Sequence, residues 1–370
     1  MGDGRWGRNR VLSLLLALAS MACGADGVMR PRNVVLIVTD GLRWQEVFSG
    51  AERGLIGPAG GVSDTATLLR EFWRETAAER RQALLPFMWG TIARDGQILG
   101  NPGAGSRGVV TNGLKFSYPG YNEMLTGSAD PRINSNSHGP NENTTVFEWL
   151  AGQDAFRGRV AVVATWGVFR DIFAAGRSGV DVRAGWTEPF SRPSNERQEE
   201  INSFYRGAIR LWPDNTFDVL AHEAVLEMVR TARPRVLFIG YGETDEWAHA
   251  GRYDFTLRSA RQVDAFIGEL WNLMQLMPEY RGSTTFIITT DHGRGDGADW
   301  TRHGESVAGA EAIWMAILGP GTPGLGDRPD TPFTQAQVAS TLASLVGAEW
   351  GAANGAAAPA IAGVSSGAAR

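Results

Sequence analysis

The sequence predicts an α/β fold, a three-layer sandwich built on a mainly parallel central sheet. Five short runs are rich in β-branched residues and apolar on both faces: 34–39, 160–164, 236–239, 285–290 and 312–318. Strands read this way when helices cover both faces of their sheet, whereas a strand with one wet face alternates. Longer segments of mixed polarity separate the runs, and that alternation is the mark of a parallel sheet between two helical layers.

The elements follow in order. The first strand, 34–39, runs straight into Asp40-Gly41. Residues 64–84 are mixed-polar with apolar spacing suited to a helix. Residues 145–151 form a helix before the second strand, and 216–231 one before the third. Residues 252–277 precede the fourth strand, with Leu257, Val263, Phe266, Ile267, Leu270 and Leu273 on one helical stripe. A last helix, 335–346, follows the fifth strand. The Ala/Gly-rich tail, 351–370, is expected to be disordered.

The chain has 370 residues, enough for a large core, with 43% hydrophobic and 20% charged residues, as in a soluble globular protein. Its net charge is −5 and no basic block stands out, so no nucleic-acid binding is indicated. The N-terminus reads as an export signal over residues 1–22. Arg5, Arg8 and Arg10 precede an apolar stretch, 11–19, that is too short to span a membrane. Cys23, the only cysteine, resembles the lipid-acceptor cysteine of a bacterial lipoprotein. The alternative is a plain signal-peptidase site with Cys23 incidental. Either way the expected location is periplasmic or membrane-anchored in a bacterium, with 23–32 as linker, 33–350 as one catalytic domain and no internal disulfide. Oligomeric state is not legible.

Metal-ligating side chains gather at the strand ends. Asp40 closes the first strand, Asp291-His292 the fourth, and Asp245 and His249 lie just past the third, with His303 farther on. Ligands of open parallel sheets sit at the carboxyl ends of strands, so these segments converge on one edge. Asp oxygen with His nitrogen suits zinc and similar ions. Three of the five histidines belong to this set. A nucleophile is sought nearby, and Ser117 is the candidate: Pro119 suits a first helical turn and Gly127 a helix stop. There Ser117 would face an anion with the helix N-terminus behind it. A competing reading makes it an ordinary helix cap.

Taken together, these motifs resemble the alkaline phosphatase superfamily, in its nucleotide pyrophosphatase/phosphodiesterase-like (type I phosphodiesterase) branch. The resemblance rests on Asp40-Gly41, Phe116-Ser117-Tyr118-Pro119 with Met124-Leu125-Thr126-Gly127, Asp245-x-x-x-His249, Thr290-Asp291-His292-Gly293 and His303, in that order. Residues 335–342 look like the family's C-terminal helix. The resemblance implies an alkaline-phosphatase-like fold and two divalent ions, zinc first. Asp40, Ser117, Asp291 and His292 would hold one, and Asp245, His249 and His303 the other. Two ions about 4 Å apart can clamp the attacking and leaving oxygens of a displacement. Ser117 would form a phosphoenzyme that water hydrolyses, on a small-molecule phosphodiester or phosphomonoester. The family also places a polar side chain beside a nonbridging phosphate oxygen; Asn141 is the candidate, with Asn143 and Asn122 as rivals.

Two other functions stay open at this point: a phospho-group transferase or mutase on the same scaffold, and a non-catalytic metal-stabilised binding protein. The arylsulfatase signature is absent, because Gly120 and Tyr121 follow Pro119. Gly103-Ala104-Gly105-Ser106-Arg107-Gly108 fits a dinucleotide-binding pattern, but a strand-and-turn signal follows where a helix is required. His138 and His222 are read as packing or surface residues. Trp247, between two ligands, is the tryptophan expected to line a substrate cleft. Lys115 could reach a phosphate or stand as an exposed strand-end charge.

Overall fold

The β-branched runs become strands where the sequence places them. In the computed structural model, which describes residues 32–364, eleven strands form: β1 (Asn33–Thr39), β2 (Gln97–Leu99), β3 (Gly108–Val109), β4 (Val160–Ala164), β5 (Asp181–Ala184), β6 (Val236–Tyr241), β7 (Thr284–Thr289), β8 (Ala312–Ile313), β9 (Met315–Leu318), β10 (Gly326–Asp327) and β11 (Phe333–Thr334). Eight build the main sheet in the order β10-β2-β9-β7-β1-β6-β4-β5, and only β9 runs against the others. A small second sheet has the order β11-β3-β8. The export signal, the linker up to residue 31 and Cys23 lie outside the described residues.

Two hydrophobic cores flank the main sheet, and β1 feeds both by simple alternation. Val35 and Ile37 point into one core; Val34, Leu36 and Val38 point into the other. Helices Asp218–Thr231 and Tyr253–Leu276 cover the first face, while Ser117–Thr126 and Gln337–Leu345 cover the second. This is the three-layer sandwich the sequence predicts.

Three expectations need correction. Residues 64–84 form two helices, Thr65–Phe72 and Ala77–Leu84, because a capping box of Thr76 and Glu79 restarts the chain. The run 312–318 splits at Trp314, whose buried indole donates to the Leu42 carbonyl at 2.9 Å; β8 joins the small sheet and β9 the large one. The segment after Trp350 is packed up to residue 364 rather than disordered. Ile361 and Val364 are buried, Ala358 N–H donates to the Gly127 carbonyl at 2.8 Å, and Ile361 N–H donates to Thr341 Oγ1 at 3.0 Å. Small residues let this segment lie close against helix Gln337–Leu345.

Candidate metal centre

Strand register brings the candidate ligands together. β1 lies between β7 and β6, with Val38 opposite Thr289 and Thr39 opposite Tyr241. The three chains leave the sheet side by side, so Asp40, the helix Glu243–His249 and Asp291-His292 start from one edge. Asp245 and His249 are one helical turn apart and share a face. Ser117 arrives from the second layer as the first residue of helix Ser117–Thr126.

Two ligand groups result: Asp40, Asp291 and His292, all buried, and Asp245, His249 and His303, more open. Apart from Ser117, the resemblance would place these same carboxylates and histidines around its two ions. In the first, His292 Nε2 lies 3.4 Å from Asp40 Oδ1 and 3.5 Å from Asp291 Oδ2. In the second, His249 Nε2 lies 2.9 Å from His303 Nε2 and 3.2 Å from Asp245 Oδ2. The stacked rings of His292 and His303, 4.0 Å between centroids, hold the groups side by side.

Backbone carbonyls fix the tautomers. His292 Nδ1 donates to the Gly293 carbonyl at 3.0 Å, and His303 Nδ1 donates to the Lys115 carbonyl at 3.2 Å. A carbonyl only accepts, so in the neutral rings both Nε2 lone pairs face inward. There the His292 lone pair meets carboxylate oxygens, and that of His303 meets His249 Nε2 at 2.9 Å. Asp40 Oδ1 and Asp291 Oδ2 are buried and have no hydrogen-bond partner. Lone pairs aimed at orphaned carboxylate oxygens repel one another unless a proton or a metal cation joins them, so the residues present fit a divalent ion.

The carboxylates report the same crowding. Burial, then Asp291 and Asp245, pushes Asp40 well above the ordinary range, and burial with the Asp245 charge takes Asp291 up to about 7. Burial also raises Asp245, but Arg294 and His249 outweigh it and the group stays well below the ordinary range. Burial, then His292, takes His303 down to about 2, so its ring stays neutral. Carboxyls raised in the fold contribute stability while protonated and lose it as they ionise. For Asp291 that loss runs from the unfolded value of 3.8 to about 7. The melting temperature of metal-free protein is therefore expected to fall from pH 5 to pH 8, and the gain on adding zinc to widen over the same interval. Thermal melts with and without chelator check this; a flat or rising metal-free curve contradicts it.

The model for the metalloenzyme superfamily matches residues 112–321, more than half of the chain. The chain belongs to the metalloenzyme superfamily. No curated protein matches it in sequence. Its fold is similar to that of alkaline phosphatase PafA, with a TM-score of 0.57 at 12% identity over 91% of this chain and 99% of the other. It is also similar to the phosphonate monoester hydrolase SpPMH from Silicibacter pomeroyi (TM-score 0.56, 14% identity, 91% and 77% covered). The lipoteichoic acid synthase LtaP from Listeria monocytogenes gives a TM-score of 0.55 at 9% identity, covering 87% and 73%. The fold is alkaline-phosphatase-like.

Not every expected residue joins the centre of this metalloenzyme. Asn141 does not: its carboxamide is fully buried, donating to Asn122 Oδ1 at 3.2 Å and to the Ile172 carbonyl at 3.4 Å, and accepting from Asn143 N–H at 2.9 Å. Asn122 and Asn143 belong to that same structural network. Asn136 lies nearer Ser117: its Oδ1 accepts from the amide of Tyr118, the next residue, at 3.0 Å. Trp247 lies two positions from Asp245 and so faces the opposite side of its helix, packed on Trp212 and Phe255. Lys115 points away from the centre, its Nζ on the Val307 carbonyl at 3.1 Å and Glu311 at 3.4 Å, while its backbone carbonyl orients His303.

Supporting residues also surface that the motifs did not disclose. Tyr121 O–H donates to Asp40 Oδ2 at 3.1 Å, Thr244 Oγ1 donates to the Asp40 carbonyl at 2.5 Å, and Gln335 Nε2 donates to the Asp291 carbonyl at 2.6 Å. Tyr121 was within reach of spacing, being four residues past Ser117 on one helix; Gln335 was not, because it comes from a distant segment. Arg294 contacts Asp245 directly.

Proposed function

We propose that this metalloenzyme hydrolyses phosphoesters with Ser117 as nucleophile. One observation carries the reading. Ser117 does not cap its helix: Phe116 holds the N-cap position, no side chain caps the turn, and Ser117 Oγ lies 3.4 Å from His292 Nε2. With Nδ1 of His292 committed to Gly293, the Ser117 O–H donates to Nε2. The hydroxyl is thus aimed into the ligand cluster, freed from the job that serines at helix starts usually do.

The remaining residues suit a phosphoryl group. The first-turn N–H groups and dipole of helix Ser117–Thr126 favour an anion in front of Ser117. The Asn136 carboxamide, tied to Tyr118 N–H, places an amide at the same helix start for a nonbridging oxygen. Divalent ions on the two ligand groups, zinc first, would supply Lewis-acid stabilisation of the serine oxygen and of the charge developing on phosphate. Ser117 Oγ forms the bond to phosphorus as the ester oxygen leaves; water then cleaves the Ser117–phosphate bond and releases the product. A small-molecule phosphodiester or phosphomonoester fits this chemistry. Export, with Cys23 either a lipid acceptor or incidental to a signal-peptidase site, completes the reading.

The test compares bis-p-nitrophenyl phosphate with p-nitrophenyl phosphate on zinc-loaded protein, with a chelator-treated control. We expect chelator-sensitive cleavage, faster on the diester if the protein follows the phosphodiesterase-like branch. Faster monoester cleavage would make it a phosphatase. Cleavage of neither ester by protein with bound zinc would sink the hydrolase reading.

A further inference from the structure

Arg294 supplies no metal ligand, yet its guanidinium stands inside the centre. Nη2 contacts Asp245 Oδ1 and donates to the Asp245 carbonyl at 3.2 Å, while Nη1 donates to the Thr301 carbonyl at 2.7 Å. The side chain is 1% exposed. Its Nε is buried with no partner and lies against Gly41. A Cβ at Gly41, where φ is +59°, would come within 2.9 Å of Arg294 Nε and 2.7 Å of Asp245 Oδ1. The first loop therefore leaves room for this cation by lacking a side chain.

The charge placement is one-sided. The Asp40–Asp291–His292 group holds two carboxylates, each with a buried orphan oxygen. Among the described residues no arginine or lysine pairs with either. The Asp245–His249–His303 group holds a single carboxylate, and Arg294 already neutralises it. His249 in that group is half-exposed, so the site opens to solvent. Arginine stays charged under all ordinary conditions, and it repels a divalent ion a few ångströms away in a poorly screened interior.

We propose that the two groups bind divalent ions with unequal affinity, Arg294 making the Asp245–His249–His303 site the weak and exchangeable one. The buried group then retains its ion while the open group loads and unloads. The inference rests on the metal ligation of the proposed function but not on hydrolysis.

Calorimetric titration of Zn2+ into chelator-stripped full-length protein tests it. Wild type is expected to bind two equivalents in steps separated by about tenfold or more in Kd. His249→Ala should remove the weak step only. Arg294→Gln should tighten the weak step by about tenfold or more, and Arg294→Lys, which keeps the charge, should preserve the separation. Two equivalent sites in wild type, loss of the strong step in His249→Ala, or an unchanged or weaker second step in Arg294→Gln would each overturn the proposal. If Arg294→Gln does not fold, Arg294→Met, uncharged and of similar length, repeats the charge test, while the wild-type and His249→Ala titrations still decide whether the sites are unequal. Absence of any zinc binding would sink the metal reading itself, a different failure from equal binding.

Discussion

Ser117→Ala is expected to lower kcat on the better p-nitrophenyl ester by about 10⁴-fold or more while leaving the protein folded and able to bind metal. The expectation follows from what the hydroxyl touches. Ser117 is 6% exposed, and its Oγ has one close polar neighbour, His292 Nε2 at 3.4 Å. No helix-capping bond is lost, because none is made. Truncation should therefore cost at most about 1 kcal/mol of stability. A covalent phosphoryl group, trapped by acid quench and read by mass spectrometry, should appear on the peptide containing Ser117 in wild type and be missing in the variant. Retention of most activity by Ser117→Ala would show that the nucleophile lies elsewhere.

The second large effect has opposite signs in stability and in function. Asp291→Asn should make the metal-free protein more stable at pH 8 and nearly abolish turnover. Asp291 is fully buried; Oδ1 accepts from Gly41 N–H at 3.1 Å, and Oδ2 has no partner 3.5 Å from His292 Nε2. An asparagine keeps the bond to Gly41 and turns an N–H toward the His292 lone pair. It also removes a charge that repels Asp40 and that sits beside Asp245. The gain is about 1–3 kcal/mol, or a few °C in melting temperature. The same change removes an anionic ligand, so zinc affinity should fall on the order of 10²-fold or more and activity with it. Melts at pH 8 with and without zinc separate the two effects. A metal-free variant no more stable than wild type would mean that the carboxylates do not compete there.

Where the sequence was legible, the physics was local. β-branched runs gave strands with nearly the observed ends, and β4 with its observed ends. Thr145 caps helix Val146–Ala151 through the N–H of Glu148 at 3.1 Å, as a threonine before an apolar run should. The break at Thr76 was also written locally, as Thr-x-x-Glu, but the helical spacing on either side hides it. Strand β5 and helix Glu196–Gly207 carry weaker signals: β5 is an edge strand with charged residues, and the helix is mostly polar. The tail beyond residue 350 misleads because alanine and glycine are equally at home in disorder and in close packing.

The sequence by itself determined which residues could ligate a metal and that a parallel sheet would deliver them to one edge, because strand ends, ligand chemistry and helical spacing are each written in a few neighbouring residues. Only the tertiary structure decided between readings that local pattern leaves equal. It turned Ser117 from cap to candidate nucleophile, drew Asn141 into a buried network and left Asn136 beside the helix start. It also turned Trp247 away and set Arg294 against Asp245. Those outcomes depend on side chains from distant segments meeting in space, where each carbonyl, charge and lone pair constrains its neighbour, and no window of sequence contains both partners.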